Sequence, residues 1–453
     1  MDGFSHRKRR RSSSDDGSYE EAVEPSSQED STEFKLALLS SLHPYVPQDT
    51  LLDILISSDG SVKAALKKLT PDRDEPSPRK KAATASPAFQ SSLSSYVKPG
   101  NGNSFPLNRV SSPLTRKGRT LHLYDPQDVA QHTPCSIIHN FLPPETAESL
   151  LKELLQEATT FGNLQFKIFD RVVQSPHSSC FYVHSMDEQK MQKTEFLYNG
   201  SRLTDVRRST PRMRHVSDLV QDAVNKEIAK RIKTHYPSGK KLKHQSPHEW
   251  VPNAAFVNCY EGGGESVGYH SDQLTYLGPR AVIGSLSLGV AREFRVRKIV
   301  PRDDPDESKD GSSLSRADAE GQIAIHLPHN SLLVMHAEMQ EEWKHSLVPA
   351  QAIDPHPISG NRRINVTYRY YRDSFHPRYT PRCNCNVPTV LRVVQRKKEN
   401  YGKYMWMCHG GMEPGKEGCS FFQWAEFDED GEPPWVTNRS RSQSETRVLQ
   451  SAT

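Results

Sequence analysis

Between residues 119 and 373, apolar positions come in short runs separated by turn residues, the pattern of many brief strands. Ala254-Ala255-Phe256-Val257, Ile323-Ala324-Ile325-His326-Leu327 and Ser331-Leu332-Leu333-Val334-Met335 each predict one. Ser136-Ile137-Ile138 predicts another, leading through Pro143-Pro144 into a helix over Ala147–Leu155. Strands in this rhythm predict a double-sheet jelly roll, a double-stranded β-helix with flanking helices, and exclude a parallel α/β sheet. Residues 301 to 320, rich in Asp, Pro and Ser, predict an exposed insertion between two strands.

The pattern changes towards both ends. Residues 1–32 lack apolar periodicity and predict a disordered basic N-terminus. They hold Arg7-Lys8-Arg9-Arg10-Arg11, a run that suits nuclear import or a solvated charge cluster. Over 33–70 the apolar stripes of Leu36-Ala37-Leu38-Leu39, Leu51–Ile56 and Val62–Leu69, broken by Pro44, Pro47 and Gly60, predict three short helices. This segment resembles a CUE domain, which implies ubiquitin as a partner; Leu42-His43-Pro44 and Leu69-Thr70 stand in for the family's more apolar recognition residues. Residues 71–118 form a Pro/Ser/Lys-rich disordered linker, and 429–453 a disordered tail. Within the linker, 90–97 (Gln90 to Val97) resembles the box that docks replication proteins on a sliding clamp, with Val97 where its second aromatic belongs.

Composition narrows the setting. A chain of 453 residues predicts two or three domains, and 34% hydrophobic against 25% charged residues predicts that part is disordered. A net charge of +4 is too small to identify a partner. No window carries the eighteen or so apolar residues of a membrane helix, nor does the N-terminus carry a secretory core, so a soluble intracellular protein is expected. Of seven cysteines, Cys135, Cys180 and Cys259 are scattered and four cluster near the end, which fits a metal site in a reducing compartment.

The chemistry concentrates in a few residues. His270 and Asp272 stand two apart, as do Arg363, Asn365, Thr367 and Arg369, so each set shares one strand face. Alone, a His-x-Asp pair also fits a surface hydrogen-bonding contact. Joined by a distant histidine, it becomes the facial triad that holds Fe(II) and leaves positions open. An arginine aimed at that site supplies a cationic fork for an acid cosubstrate.

These residues lie among Asn258-Cys259-Tyr260-Glu261-Gly262-Gly263-Gly264, Ala281-Val282-Ile283-Gly284-Ser285-Leu286-Ser287-Leu288-Gly289 and Trp343-Lys344-His345-Ser346-Leu347. In this order they resemble the AlkB family of nucleic-acid dealkylating dioxygenases, over 119–373. The resemblance implies Fe(II) on His270, Asp272 and His345, with His345 preferred over His336, and 2-oxoglutarate held by Arg363, Arg369, Asn258, Tyr260 and Asn365. It gives the distal carboxylate to Arg369. It also implies a base flipped out of the stack, with Tyr198 stacking on it and Phe169 as the wedge filling the gap. Leu274 stands where the DNA-repairing members carry a base-reading acid. The basic stretch from Arg207-Arg208 to Lys240-Lys241 suits phosphate contacts or a solvated helix face.

Cys383-Asn384-Cys385, Cys408 and Cys419 offer four thiolates to one Zn(II), within 380–428. The flanking Gly402-Lys403-Tyr404 and the aromatic residues resemble the GRF zinc finger. Tyr404, Trp406 and Phe421, with Arg392, Arg396, Lys397 and Lys398, are expected to bind single-stranded DNA, although a zinc staple without a ligand fits as well. The expectation is a nuclear dioxygenase acting on alkylated DNA, single-stranded or damaged duplex, its two metal sites independent. RNA as substrate, and a chromatin or ubiquitin adaptor with an inactive core, are the alternatives.

Overall fold

The computed structural model describes Leu39, Leu51, Ile54, Leu55, Ser58 and 61–69, then 120–168, 171–185, 187, 190, 197–198, 201–203, 205–301, 321–412 and 416–436. The basic run at 7–11, the segment 90–97, nearly all of the 301–320 insertion and Phe169 lie outside these residues. The chain divides into two compact units, 1–106 and 107–453. In the first, helix α1 (Val62–Leu69) contributes Ala65 to a cluster with Leu39, Leu51 and Leu55, all at most 1% exposed.

The second unit is built on two sheets. One contains β1 (Thr120–Leu123), β6 (Val267–His270), β8 (Arg292–Lys298), β9 (Gln322–Leu327) and β11 (Trp343–Leu347) in the order β1-β9-β8-β11-β6. The other contains β2 (Cys135–Ile138), β3 (Ser178–Val183), β4 (Val206–Arg208), β5 (Ala254–Glu261), β7 (Ile283–Gly289), β10 (Ser331–Met335) and β12 (Arg362–Arg369). Its order is β2-β10-β7-β12-β5-β3-β4. Only β1–β9 and β3–β4 pair in parallel; the other pairs in these sheets are antiparallel. This is the expected sheet-rich architecture, with neighbours in space that are far apart in sequence.

The seven-stranded sheet sorts its residues by chemistry. On β12, Ile364, Val366 and Tyr368 join Leu286 and Leu288 of β7 and Val257 of β5 in the main apolar core. Helices α3 (Pro144–Glu157) and α4 (Pro211–His235) cover that face with Leu150, Leu151, Leu154, Val216, Val220 and Val224. Each such buried side chain contributes about 1.5–3 kcal/mol, and Leu151→Ala would cost about 2–5 kcal/mol. At Gly284 a Cβ would meet Val220 Cγ1 and Val224 Cγ2 at 3.2 Å, so α4 packs closely because the strand is bare there. The opposite face carries Arg363, Asn365, Thr367 and Arg369, opposed in register by Tyr260, Asn258, Phe256 and Ala254. Alternation along β12 therefore sends its polar residues between the sheets.

Part of the basic stretch on and around α4 is committed to protein contacts. Arg207 pairs with Asp205 and Glu157, Arg212 with Glu153, and Lys241 with Asp430. Arg231 is buried against Glu338 and donates to the carbonyls of Ala130 and Thr133, through α2 (Pro126–His132) and its exit. These four do not form a phosphate track.

The zinc module adds a three-stranded sheet, β13 (Val390–Val393), β14 (Tyr404–Met407) and β15 (Phe422–Ala425). Trp406 packs near Phe375 and Trp435, whose indole N–H donates to the Ser374 carbonyl. Among the described residues no helix is long and apolar enough to cross a membrane.

Candidate active site

β6 ends at His270, whose register partner on β11 is His345. Two residues beyond, Asp272 turns back towards both. Its Oδ1 lies 3.4 Å from His270 Nε2 and 3.6 Å from His345 Nε2, and one atom from each residue falls within a 4.8 Å cluster. His270 Nδ1 is 2.8 Å from the Gly268 carbonyl, which can only accept, so Nδ1 carries the proton and Nε2 is left with a lone pair. His345 is buried and stacks near Phe294, whereas the His270 side chain is 40% exposed. The cluster is thus closed on one flank and open on the other.

Its protonation states suit a cation. Burial pushes Asp272 up, yet Arg369, with the adjacent histidines behind it, holds it well below the usual carboxylate range. Burial, followed by His270, takes His345 down to about 4. At neutral pH this leaves a carboxylate and a neutral imidazole, the forms that bind a divalent metal.

The two arginines differ from each other. Arg369 Nη2 lies 2.7 Å from Asp272 Oδ2 and its guanidinium lies over the Phe256 ring at 4.8 Å. Arg363 is 2% exposed, donates to Ser287 Oγ at 2.8 Å and sits 5.4 Å from the Tyr260 ring centroid. Its Nε has no hydrogen-bond partner, and it pairs with no carboxylate among the described residues. Burial lowers it to about 10, still a cation at neutral pH. A buried cation short of an anion is costly, so this cradle fits an acid cosubstrate. The expected distal role therefore fits Arg363, and Arg369 belongs at the metal end.

The other expected residues sit in differing surroundings. Tyr260 is buried and stacks on His177 at 4.6 Å, and His177 also hydrogen-bonds Asn258. His177 joins the pocket from the residue before β3, and no spacing in the sequence points to it. Asn365 departs from expectation: its amide donates to Ser285 Oγ at 2.8 Å and the Leu286 carbonyl at 3.1 Å, and its oxygen accepts from Thr367. It braces β12 against β7 and has no free donor for a cosubstrate. Leu274 is buried, 2% exposed, in the turn after Asp272. Tyr198 lies on a two-residue strand, Leu197–Tyr198, paired with Ser201–Arg202. His336, the rival ligand, is buried against Ser136 at 3.0 Å, outside the cluster.

The glycine-rich turn after β5 has a mechanical cause. A Cβ at Gly263 would lie 2.3 Å from the Ala350 carbonyl oxygen, so backbone meets backbone there. Arg292 fastens the turn by donating to the carbonyls of Gly262, Glu265 and Val348. In the zinc module Cys383, Cys385, Cys408 and Cys419 bring their sulfurs within one 4.8 Å cluster.

Residues 134–369 match the model of the 2OG-Fe(II) oxygenase superfamily. The chain belongs to that superfamily. Its cofactors are accordingly Fe(II) and 2-oxoglutarate, and residues 381–428 match the GRF zinc finger, which makes the second metal zinc. The rat "Alpha-ketoglutarate-dependent dioxygenase alkB homolog 3" is 37% identical over 117 residues, 26% of this chain and 35% of that protein. Its mouse counterpart is 36% identical over 131 residues, 29% of this chain and 40% of that protein. The Arabidopsis thaliana "DNA oxidative demethylase ALKBH2" is 34% identical over 123 residues, 26% and 37% respectively. The chain thus spans well under half the length of these relatives. A solved structure, "The structure of OsALKBH1", aligns over 52% of this chain and 96% of that one, at 16% identity and a TM-score of 0.34, too low to add to the topology above.

His270, Asp272 and His345 would hold the iron, with Arg363 and Tyr260 facing the cosubstrate. The iron, when bound, supplies oxygen activation at positions the protein leaves open.

Proposed function

We propose that this protein removes N-linked alkyl groups from bases in DNA by oxidation. The observation that carries this reading is the pairing of an accessible iron-ligand cluster with a deep, uncompensated arginine. In balance, 2-oxoglutarate and O₂ become succinate and CO₂ while one oxygen atom enters the N-methyl C–H bond. The resulting hydroxymethyl group leaves as formaldehyde and the base is restored. DNA is favoured because one of the relatives carries a DNA demethylase name and because exposed aromatic rings beside a lysine on the zinc module support single-strand binding.

That surface differs from the expected one. Tyr404 and Trp406 are 5% and 2% exposed, so neither can stack on a base. The exposed aromatics are Phe422 and Trp424, at 51% and 43%, set edge to face at 4.9 Å. Lys403 Nζ stands 5.6 Å above the Trp424 ring. Stacking platforms beside a cation are what a single strand requires. The Arg7–Arg11 run supports action in the nucleus.

Mass spectrometry of alkylated DNA and RNA oligonucleotides, incubated with protein, Fe(II) and 2-oxoglutarate, tests the proposal. Loss of 14 mass units per methyl from DNA is the expected result (about one CH₂ equivalent, the net change on demethylation). Activity on RNA alone would transfer the same chemistry to the other polymer. Turnover of 2-oxoglutarate with every oligonucleotide unchanged would refute dealkylation.

A further inference from the structure

Gln395 follows β13 in the zinc module, and its side-chain amide nitrogen reaches the oxygenase core. It donates to Ser271 Oγ at 3.1 Å and to the Gln340 carbonyl at 2.8 Å, with the Glu341 carbonyl at 3.5 Å. Ser271 lies between the ligands His270 and Asp272, and its own hydroxyl donates to the Trp343 carbonyl at 3.0 Å. Gln340, fully buried, offers Oε1 to the backbone N–H of Asp272 at 2.6 Å.

These contacts join the two segments that bear the cluster. Residues 270–275 carry His270 and Asp272. The short helix α5 (Met339–Glu342) runs directly into β11, which carries His345. The zinc module grips both segments elsewhere as well. Leu391 N–H donates to Thr275 Oγ1 at 3.3 Å, and the Tyr404 hydroxyl donates to Glu341 Oε1 at 3.1 Å.

The geometry points to the zinc module as a working part of the iron centre, with Gln395 as a positioning residue that sets Asp272 against His345. A centre with three protein ligands and open positions relies on its surroundings to fix those ligands. Here the fixing group comes from a second metal domain, which would tie the geometry of the iron ligands to the fold of the zinc module. The role does not depend on which polymer is the substrate.

Mn(II) is a suitable probe, since it prefers His and carboxylate ligands and leaves thiolate-bound zinc in place. In the zinc-loaded full chain, Mn(II) affinity is read by electron paramagnetic resonance with zinc content measured alongside. Gln395→Glu keeps the shape but cannot donate to two carbonyls, so Mn(II) should bind about tenfold more weakly. Ser271→Ala cuts the same link from the core side without touching the zinc module. The double variant Ser271→Ala/Gln395→Glu should then lose no more than the larger single loss. The Mn(II) signal should also broaden, as the ligand geometry becomes heterogeneous. Wild-type affinity in Gln395→Glu with zinc retained, or fully additive losses in the double variant, would overturn the inference.

Discussion

Arg363 and Arg369 look alike in sequence, six residues apart on one strand face, and the fold gives them different work. Arg369 meets Asp272 at 2.7 Å, while Arg363 lies buried with Ser287 as its hydrogen-bonding neighbour. Arg363→Gln should therefore raise the KM for 2-oxoglutarate by about tenfold or more, as expected for losing a charged hydrogen-bonding partner. Its Mn(II) affinity should stay near wild type. Arg369→Gln should instead weaken Mn(II) binding by about tenfold, because it removes the cation that holds the Asp272 carboxylate. Identical profiles for the two variants, measured by succinate formation and metal titration, would show that the arginines share one role. Period-two spacing and motif order made His270, Asp272, His345 and both arginines legible. The Asp272–Arg369 contact was not legible, because it joins the loop after β6 to a strand of the other sheet, and His177 reaches Asn258 and Tyr260 only through strand pairing.

Elements behave similarly: their existence is written locally, but the faces they present are not. Alternation along Tyr404-Met405-Trp406-Met407 predicts that Tyr404 and Trp406 share a face. Only packing against Phe375 and Glu341 shows that this face is the inner one. Phe422→Ala with Trp424→Ala should weaken single-stranded DNA binding by about five- to hundredfold, at roughly 1–3 kcal/mol per stacked base. Trp406→Ala should act through stability instead, costing about 3–5 kcal/mol. Anisotropy titration beside thermal unfolding separates the two. The same interface holds Glu341, which burial pushes up to about 7, against the opposing pull of Arg280 and the Tyr404 hydroxyl. The folded protein therefore holds this proton more tightly than the unfolded chain, whose value is near 4.5. Stability from protonated Glu341 is full below that value and is lost as pH rises through about 7. Glu341→Gln keeps an acceptor for Arg280 N–H and Tyr404 but does not ionise. Its Tm relative to wild type should accordingly rise from pH 5 to pH 8, and a constant difference would remove Glu341 from the pH response.

At the scale of the molecule, two facing sheets bring ligands from one and arginines from the other to a common centre, and the zinc module closes around the segments that carry the ligands. The sheet-rich core was legible from its many short strands, and the zinc finger from its cysteines. Their union was not, since Gln395 has no motif of its own and acts only through where the fold sets it. The proposed chemistry makes a stoichiometric demand. With single-stranded DNA containing N-methylated bases, under Fe(II), 2-oxoglutarate and O₂, formaldehyde and succinate should appear in equal amounts, each matching the methyl groups lost. Asp272→Ala should abolish all three signals while retaining its zinc. Succinate without formaldehyde, or undiminished turnover in Asp272→Ala, would contradict the account.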